Sequence, residues 1–450
     1  MKKLFQKIFS SYWFRSGAFK LFERVSLVAF GLFTFYVLVR YTSKEEYGTW
    51  SLYITLTTFL ELMRAGFVGN GLIRYIGQST DRASYIRTES AALLLNLILT
   101  LITSAIIFAS SSYLSGLLNA PLLEPLLWWY GFLNLLMLPL FHLDLMQQAN
   151  MDFKGSSLGQ FALKGSLFVL ITAYVLSVPS ITMEMLVLVQ AISILIGTLV
   201  MFIYGRKYLT FRWKTDRAAL GELFHFGKYT FGTHVSAIIV KNVDSWMLAY
   251  LINPAAVAVY SLAIRVSNIF EVPTNTVSSI VFPQMVKEIK EKGIKAATPL
   301  YEKSVALLFA LLLPTVLLTL IFAEEIVLLI AEERYADAVP ILQITALYGL
   351  LLPFNKQVGI MMDSVGDARK NMLFVIRNAV LNIVLNYFLI TKFGVMGAAL
   401  ATLTTYFISL VLNQIYINRK YQVSTGNYIR YLGWSYSKAW SFVNQKLKSI

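Results

Sequence analysis

The sequence predicts an all-α integral membrane protein of about twelve transmembrane helices, grouped as two halves of six. Three observations predict it. Of the 450 residues 57% are hydrophobic and 14% charged, too little charge to cover a soluble protein of that size. Apolar stretches of about 18 residues or more recur along the whole chain, long enough to cross a bilayer as helices. Lysine and arginine gather in alternate loops, the asymmetry that orients membrane proteins.

The hydrophobic windows place spans at 18–40, 49–69, 88–111, 122–145, 158–178, 182–204, 229–252, 257–282, 304–323, 338–361, 372–391 and 394–417. One set of segments holds Lys2, Lys3, Lys7 and Arg15, then Arg74, Arg82 and Arg87, then Lys154, then Arg206, Lys207, Arg212, Lys214 and Arg217. It continues with Lys287, Lys290, Lys292 and Lys295, then Arg369 and Lys370, and ends in a tail with Arg419, Lys420, Arg430, Lys438, Lys446 and Lys448. The opposite loops hold Lys44, Arg334, Lys392 and little else. The rich side is expected to be cytoplasmic, with both termini inside and an even number of spans. The net charge of +15 then reflects topology and contact with anionic membrane lipids, and nucleic acid is not expected as a partner. The stretch Met1 to Lys20 is basic and aromatic without a small-residue cleavage site, so it reads as retained.

Several function classes are excluded. There is no cysteine, and the three histidines, His142, His225 and His234, have no ligand spacing, so neither metal nor cofactor is expected. No H-E-x-x-H, G-x-S-x-G or G-x-x-x-x-G-K-[ST] motif occurs, which argues against an enzyme and against an ATP-driven pump. The longest outer loop, about 324–337 with Glu324, Glu325, Glu332, Glu333 and Asp337, is too short for a catalytic domain. Gly66-Phe-Val-Gly-Asn-Gly71 reads as a flexible turn, and the run Gly397 to Thr402 as small-residue helix packing.

A shift of 210 residues lays Tyr47-Gly-Thr-Trp-Ser-Leu52 over Val257-Ala-Val-Tyr-Ser-Leu262 and Glu61 over Glu271, a duplication of the kind transporters use. The expected organisation is an N-terminal lobe 1–204, a cytoplasmic linker 205–228, a C-terminal lobe 229–417, and a basic, aromatic tail 418–450. In the tail Ile429, Leu432, Tyr436, Trp440, Val443 and Leu447 share one helical face. That face suits either the inner leaflet or docking against the bundle. In 287–295 the pairs Lys287/Glu291, Glu288/Lys292 and Glu291/Lys295 suit a solvated helix.

Function should lie with the charges inside the spans: Glu23, Arg24, Glu61, Arg64, Asp144, Lys164, Lys241, Asp244, Arg265, Glu271, Lys356 and Arg377. Facing lipid, each costs about 2.5–3.5 kcal/mol and the set on the order of 30 kcal/mol, more than a domain's stability. Two readings stand: internal ion pairs, with Glu61/Arg64 and Lys241/Asp244 as i,i+3 neighbours, or a hydrated cavity. Basic members outnumber acidic ones, so pairing within the set leaves cations over, which suits an anionic ligand such as a phosphate or pyrophosphate. Asp244 is a candidate site for a coupling proton or cation, with Glu61 and Glu271 beside it in that role. Asn378, Asn382 and Asn386 form a stripe suited to interhelical hydrogen bonds. Pro139, Pro273, Pro314 and Pro353 are candidate kinks.

Asp244-Ser-Trp-Met-Leu-Ala-Tyr-Leu followed by Tyr260-Ser-Leu-Ala-Ile-Arg265, Pro273 and Phe282-Pro283 resembles the central signature of bacterial polysaccharide flippases of the multidrug/oligosaccharidyl-lipid/polysaccharide exporter superfamily. Tyr335 to Leu342, Met362 to Lys370 and Phe393 to Thr402 resemble the later blocks, and Tyr41 to Gly48 the first outer loop, with Ala258 standing where glycine is frequent. The resemblance implies two six-helix lobes as an inverted V around a central cavity in the bacterial cytoplasmic membrane. It implies alternating-access translocation of an undecaprenyl-pyrophosphate-linked oligosaccharide, an O-antigen or exopolysaccharide repeat unit. Arg24, Arg64, Lys241, Arg265 and Arg377 become candidates for the pyrophosphate. H+ or Na+ would be the coupling ion, and a polysaccharide polymerase or glycosyltransferase a partner. The alternative is an ion-coupled drug or cation antiporter of the same superfamily, whose cavity should favour acidic residues.

Overall fold

The fold is that of a computed structural model, described for residues 12–178, 181–210, 216–424, 426–434 and 436–437. Lys2, Lys3, Lys7, Arg212, Lys214 and, in the tail, Lys438, Trp440, Val443, Lys446, Leu447 and Lys448 lie outside the described residues.

All regular structure among the described residues is helical. Twelve long rods follow one another: α1 (Tyr12–Tyr41), α2 (Lys44–Arg64, continuing through Ala65–Gly69 into Asn70–Gly77), α3 (Arg82–Leu117), α4 (Leu123–Ala149), α5 (Phe153–Ser177) and α6 (Met183–Gly205). Then come α7 (Arg217–Leu251), α8 (Pro254–Ser267, continuing through Asn268–Phe270 into Glu271–Lys292), α9 (Ala297–Ile321), α10 (Ala338–Ser364), α11 (Ala368–Phe393) and α12 (Val395–Tyr421). Ten of them are long and apolar enough to cross a membrane. The two that fall short, α2 and α7, are as long but carry Glu61 and Arg64, and Lys241 and Asp244. The chain is an all-α, multi-pass membrane protein.

Helix starts follow local chemistry. Ser43 and Glu46 form a reciprocal capping box at α2, with Glu46 N donating to Ser43 Oγ at 3.1 Å and Ser43 N to Glu46 Oε2 at 2.7 Å. Asp81 caps α3 through Ser84 N at 2.6 Å, and Thr182 caps α6 through Met185 N. Asp216 accepts from Ala218 N at 2.9 Å and starts α7 there, so the segment 205–228 includes the first turns of this helix. Irregularities have causes too. Pro273 offers no N–H to the carbonyl one turn back, and α8 tightens into a 3-10 segment at Asn268–Phe270. Residues Ala65–Gly69 form a π-helical segment, so Gly66 to Asn70 continues the rod and is not the turn expected from its glycines.

Contacts divide the chain into two compact units, residues 1–242 with 253–255, and residues 243–252 with 256–450. In the first, Val68, Leu72 and Ile76 of α2 pack with Ala91 and Leu95 of α3, Leu145 and Met146 of α4, and Ala219 and Leu223 of α7. Its α5 and α6 meet through glycines: a Cβ on Gly159 would come within 2.2 Å of Met201 Cγ, the close approach small residues allow between membrane helices. The connection after α6 is fastened to the same unit. Buried Glu89 of α3 accepts from Thr210 N at 3.0 and 3.1 Å, and Tyr85 OH donates to Tyr208 O at 2.9 Å. Asp152 accepts from Lys207 Nζ at 2.8 Å and Tyr208 OH at 2.9 Å. Partial burial would raise the Asp152 carboxyl, but these bonds hold it below the ordinary carboxylate value. In the second unit Met285, Tyr301, Val305, Val358, Met361 and Ile417 form one core, and Phe270, Leu312, Val316, Ala346, Tyr348 and Leu352 another.

Candidate functional site

In the second unit the centre of the polar interior is Asp244, on α7 and buried. Its Oδ2 accepts from Tyr260 OH of α8 at 2.5 Å and from Thr402 Oγ1 of α12 at 2.8 Å; its Oδ1 accepts from Asn386 Nδ2 of α11 at 2.6 Å. Asn386 Nδ2 also reaches Asn382 Oδ1 at 3.1 Å, and Asn382 Nδ2 reaches Thr402 Oγ1 at 3.4 Å. Four helices thus converge on one carboxylate through neutral donors. Each bond to a charged acceptor stabilises by about 1.5–3 kcal/mol, which offsets the cost of burying the ion. Three neutral groups occupy the carboxylate, while Lys241 stands on the exposed side of α7 with interactions of its own. Glu271, half-buried on α8, belongs to the same region: its field and that of Asp244 both reach Tyr348 and Tyr406, whose rings lie 5.3 Å apart.

The other end of the asparagine stripe serves a cation. Arg377 donates through Nη2 to Asn378 Oδ1 and to Asn413 Oδ1 of α12, both at 2.9 Å, and its guanidinium lies 5.0 Å from the Phe374 ring centroid. Ser409 fixes Asn378 at 2.6 Å. Asn378, Asn382 and Asn386 therefore do bond between helices as the spacing predicts, and divide between an arginine and an aspartate. Arg265 of α8 is half-buried and engaged.

In the first unit Arg64 is 3% exposed, the opposite of a cation displayed to a wide cavity. Its Nη1 donates to Thr100 Oγ1 of α3 and Asn134 Oδ1 of α4, both at 3.0 Å, and its guanidinium lies 4.7 Å from the Phe141 ring centroid. Its Nε and Nη2 find no partner among the described residues. Glu61, one turn earlier, feels the fields of Arg64 and Lys164 but makes no direct ion pair with Arg64, because Thr100 and Asn134 draw the guanidinium across to α3 and α4. Toward the basic end Lys20 donates to Glu23 Oε2 at 2.8 Å and Ser157 Oγ donates to the same oxygen at 2.8 Å, while Ser156 Oγ donates to Asp144. Arg24 is exposed, with no hydrogen bond or ion pair among the described residues.

Residue reasoning on charges missed Tyr260 and Thr402, the hydroxyls that complete the Asp244 cage. Both lie in the sequence blocks that carry the resemblance, which was the available signal.

Residues 37–340 match the polysaccharide biosynthesis protein family. The chain belongs to that family. Among curated proteins it is 28% identical over 207 residues to an uncharacterized membrane protein of Methanocaldococcus jannaschii, covering 45% of this chain and 40% of that protein. It is 24% identical over 227 residues to a probable low-salt glycan biosynthesis flippase, Agl15, of Haloferax volcanii, covering 50% of this chain and 48% of the relative. The chain thus matches about half the length of these curated relatives or less. Among solved structures, the lipid II flippase MurJ in an inward closed conformation superposes with a TM-score of 0.76 at 12% identity, over 95% of this chain and 92% of that one. An inward-facing multidrug resistance transporter of the MATE family, in the MOP superfamily, gives 0.76 at 13% identity, over 88% and 94%. At such identities the likeness is one of fold.

Proposed function

We propose that the protein flips an undecaprenyl-pyrophosphate-linked oligosaccharide, an O-antigen or exopolysaccharide repeat unit, from the inner to the outer leaflet of a bacterial cytoplasmic membrane by alternating access. It does so without enzymatic chemistry, and both its termini face the cytoplasm. The observation that carries the reading is the solvation of its arginines. Arg377 bonds to the amide oxygens of Asn378 and Asn413 and lies against the Phe374 ring. It stands in a span where lipid would penalise a cation, and Arg24 is exposed in its span. Guanidinium groups with no ion-pair partner among the described residues are the chemistry that recognises a pyrophosphate. The name of the Haloferax volcanii relative, a probable glycan biosynthesis flippase, points the same way.

Asp244 takes the coupling role: a carboxylate ringed by hydroxyls and amides can exchange its donors for H+ or Na+. Glu61 and Glu271 remain secondary candidates. The same cage favours the second reading, an ion-coupled antiporter of organic cations on the fold shared with the MATE transporter. Binding distinguishes them. The purified protein should retain undecaprenyl pyrophosphate in native mass spectrometry, and Arg377→Ala and Arg24→Ala should each weaken retention about tenfold. Retention unchanged in both variants, with tight binding of an organic cation, favours the antiporter.

A further inference from the structure

The described part of the tail packs along α9. After α12 the chain turns at Gln422, whose φ is 57°, with Thr298 Oγ1 of α9 donating to Tyr421 O at 2.8 Å. Residues 426–434 and 436–437 are helical, and their contacts climb α9 step by step. Buried Glu302 accepts from Ser424 N at 2.7 Å and from Asn427 Nδ2 at 2.9 Å. Lys303 Nζ lies 5.6 Å from the Tyr431 ring centroid. Tyr436 OH donates to Ala310 O at 2.9 Å. From Glu302 to Ala310 α9 rises about 12 Å, and from Asn427 to Tyr431 the tail rises about 6 Å before Tyr436 meets Ala310. Two helices that advance together run side by side in one direction. A helix lying on the membrane surface would hold a constant level along α9.

Ala310 sits about 10 Å beyond Lys303, within the apolar part of a helix long enough to span the bilayer. At that level Leu307 and Leu311 of α9 are 48% and 51% exposed, an apolar surface suited to acyl chains. On the tail, Tyr428, Tyr431 and Leu432 are turned inward, whereas Ile429 is 75% exposed and Trp434 50%. The docked face is therefore shifted from the expected stripe.

We propose that the segment after α12 is a membrane-inserted helix. Glu302 latches its first turn to α9, and Ile429 and Trp434 meet lipid acyl chains in the leaflet at the basic end. The latch has a clear logic: a glutamate buried at the head of α9 has its carboxylate satisfied by the tail's first turn, and loses those donors if the tail leaves.

The absence of cysteine makes the test clean. Single cysteines are placed at Gln422, Ile429 and Trp434 of the full chain, spin-labelled, and reconstituted in phosphatidylglycerol/phosphatidylethanolamine vesicles. Accessibility to oxygen and to a water-soluble nickel chelate is then measured. Depth should increase from 422 to 429 to 434, with the chelate excluded at 434 at least fivefold relative to 422. Equal depth at all three positions, or free access of the chelate to 434, overturns insertion. Glu302→Ala should raise chelate access at 434 at least twofold; no change overturns the latch. If that variant does not fold, Ser424→Pro removes one donor to the same carboxylate and is read in the same way.

Discussion

Tyr260→Phe isolates one bond in the Asp244 cage. The phenol donates at 2.5 Å to a carboxylate that also accepts from Asn386 at 2.6 Å and Thr402 at 2.8 Å. If the carboxylate is ionised, the lost bond is charge-assisted and the variant should lose about 1.5–3 kcal/mol. In an Asp244→Asn background the same bond joins neutral groups and its loss should cost about 1 kcal/mol. The predicted coupling is therefore about 0.5–2 kcal/mol, above the roughly 0.3–0.5 kcal/mol scatter of independent sites. The assay is reversible unfolding in mixed micelles, followed by the fluorescence of the 8 tryptophans, on the four members of the cycle at pH 7. Equal cost of Tyr260→Phe in both backgrounds refutes an ionised, caged Asp244.

The other predictions test packing and charge elsewhere. Gly397→Ala places a Cβ 2.0 Å from Leu389 O, a clash with backbone that cannot rotate away; about 1–3 kcal/mol of stability should be lost, seen as a lower unfolding midpoint. Arg64→Ala removes both charge-assisted bonds inside the first unit and should destabilise by about 3–6 kcal/mol, whereas Arg24→Ala should leave the midpoint unchanged and reduce only ligand retention. Between α10 and α11, the hydrogen bond from Lys420 at 2.7 Å holds the Asp367 carboxyl below its ordinary value. A depressed carboxyl stabilises the fold above its unfolded value, about 3.9, and loses that contribution as pH falls through the lower folded value. Lys420→Met should lower the midpoint slightly at pH 7, since the pair is exposed, and the difference should shrink as pH falls below the unfolded value and vanish below the folded one.

The spans were legible because apolar length and loop charge are one-dimensional properties. Expected and observed boundaries of α6, α10 and α12 agree within a few residues at their starts. The start of α7 was not, because Asp216 begins a polar, amphipathic stretch that no hydropathy window marks. The asparagine stripe was legible as an interhelical one since i,i+4 spacing fixes a face, but which helix it meets depends on packing. Arg64 and Asp244 find their hydrogen-bond partners on other helices for a related reason. Adjacency on a helix makes a contact available, and buried Thr100 and Asn134, or Tyr260 and Thr402, offer better-placed partners from other helices. The Glu302 latch lay beyond sequence reasoning because its partners follow about 120 residues later.

The most direct test is flipping of a fluorescent undecaprenyl-pyrophosphate oligosaccharide in proteoliposomes, comparing wild type with Arg377→Ala, Arg24→Ala and Lys241→Ala. The account predicts transport by the wild type that falls at least tenfold in folded variants. Absence of lipid-linked glycan transport by a folded wild type, together with efflux of organic cations, would contradict it.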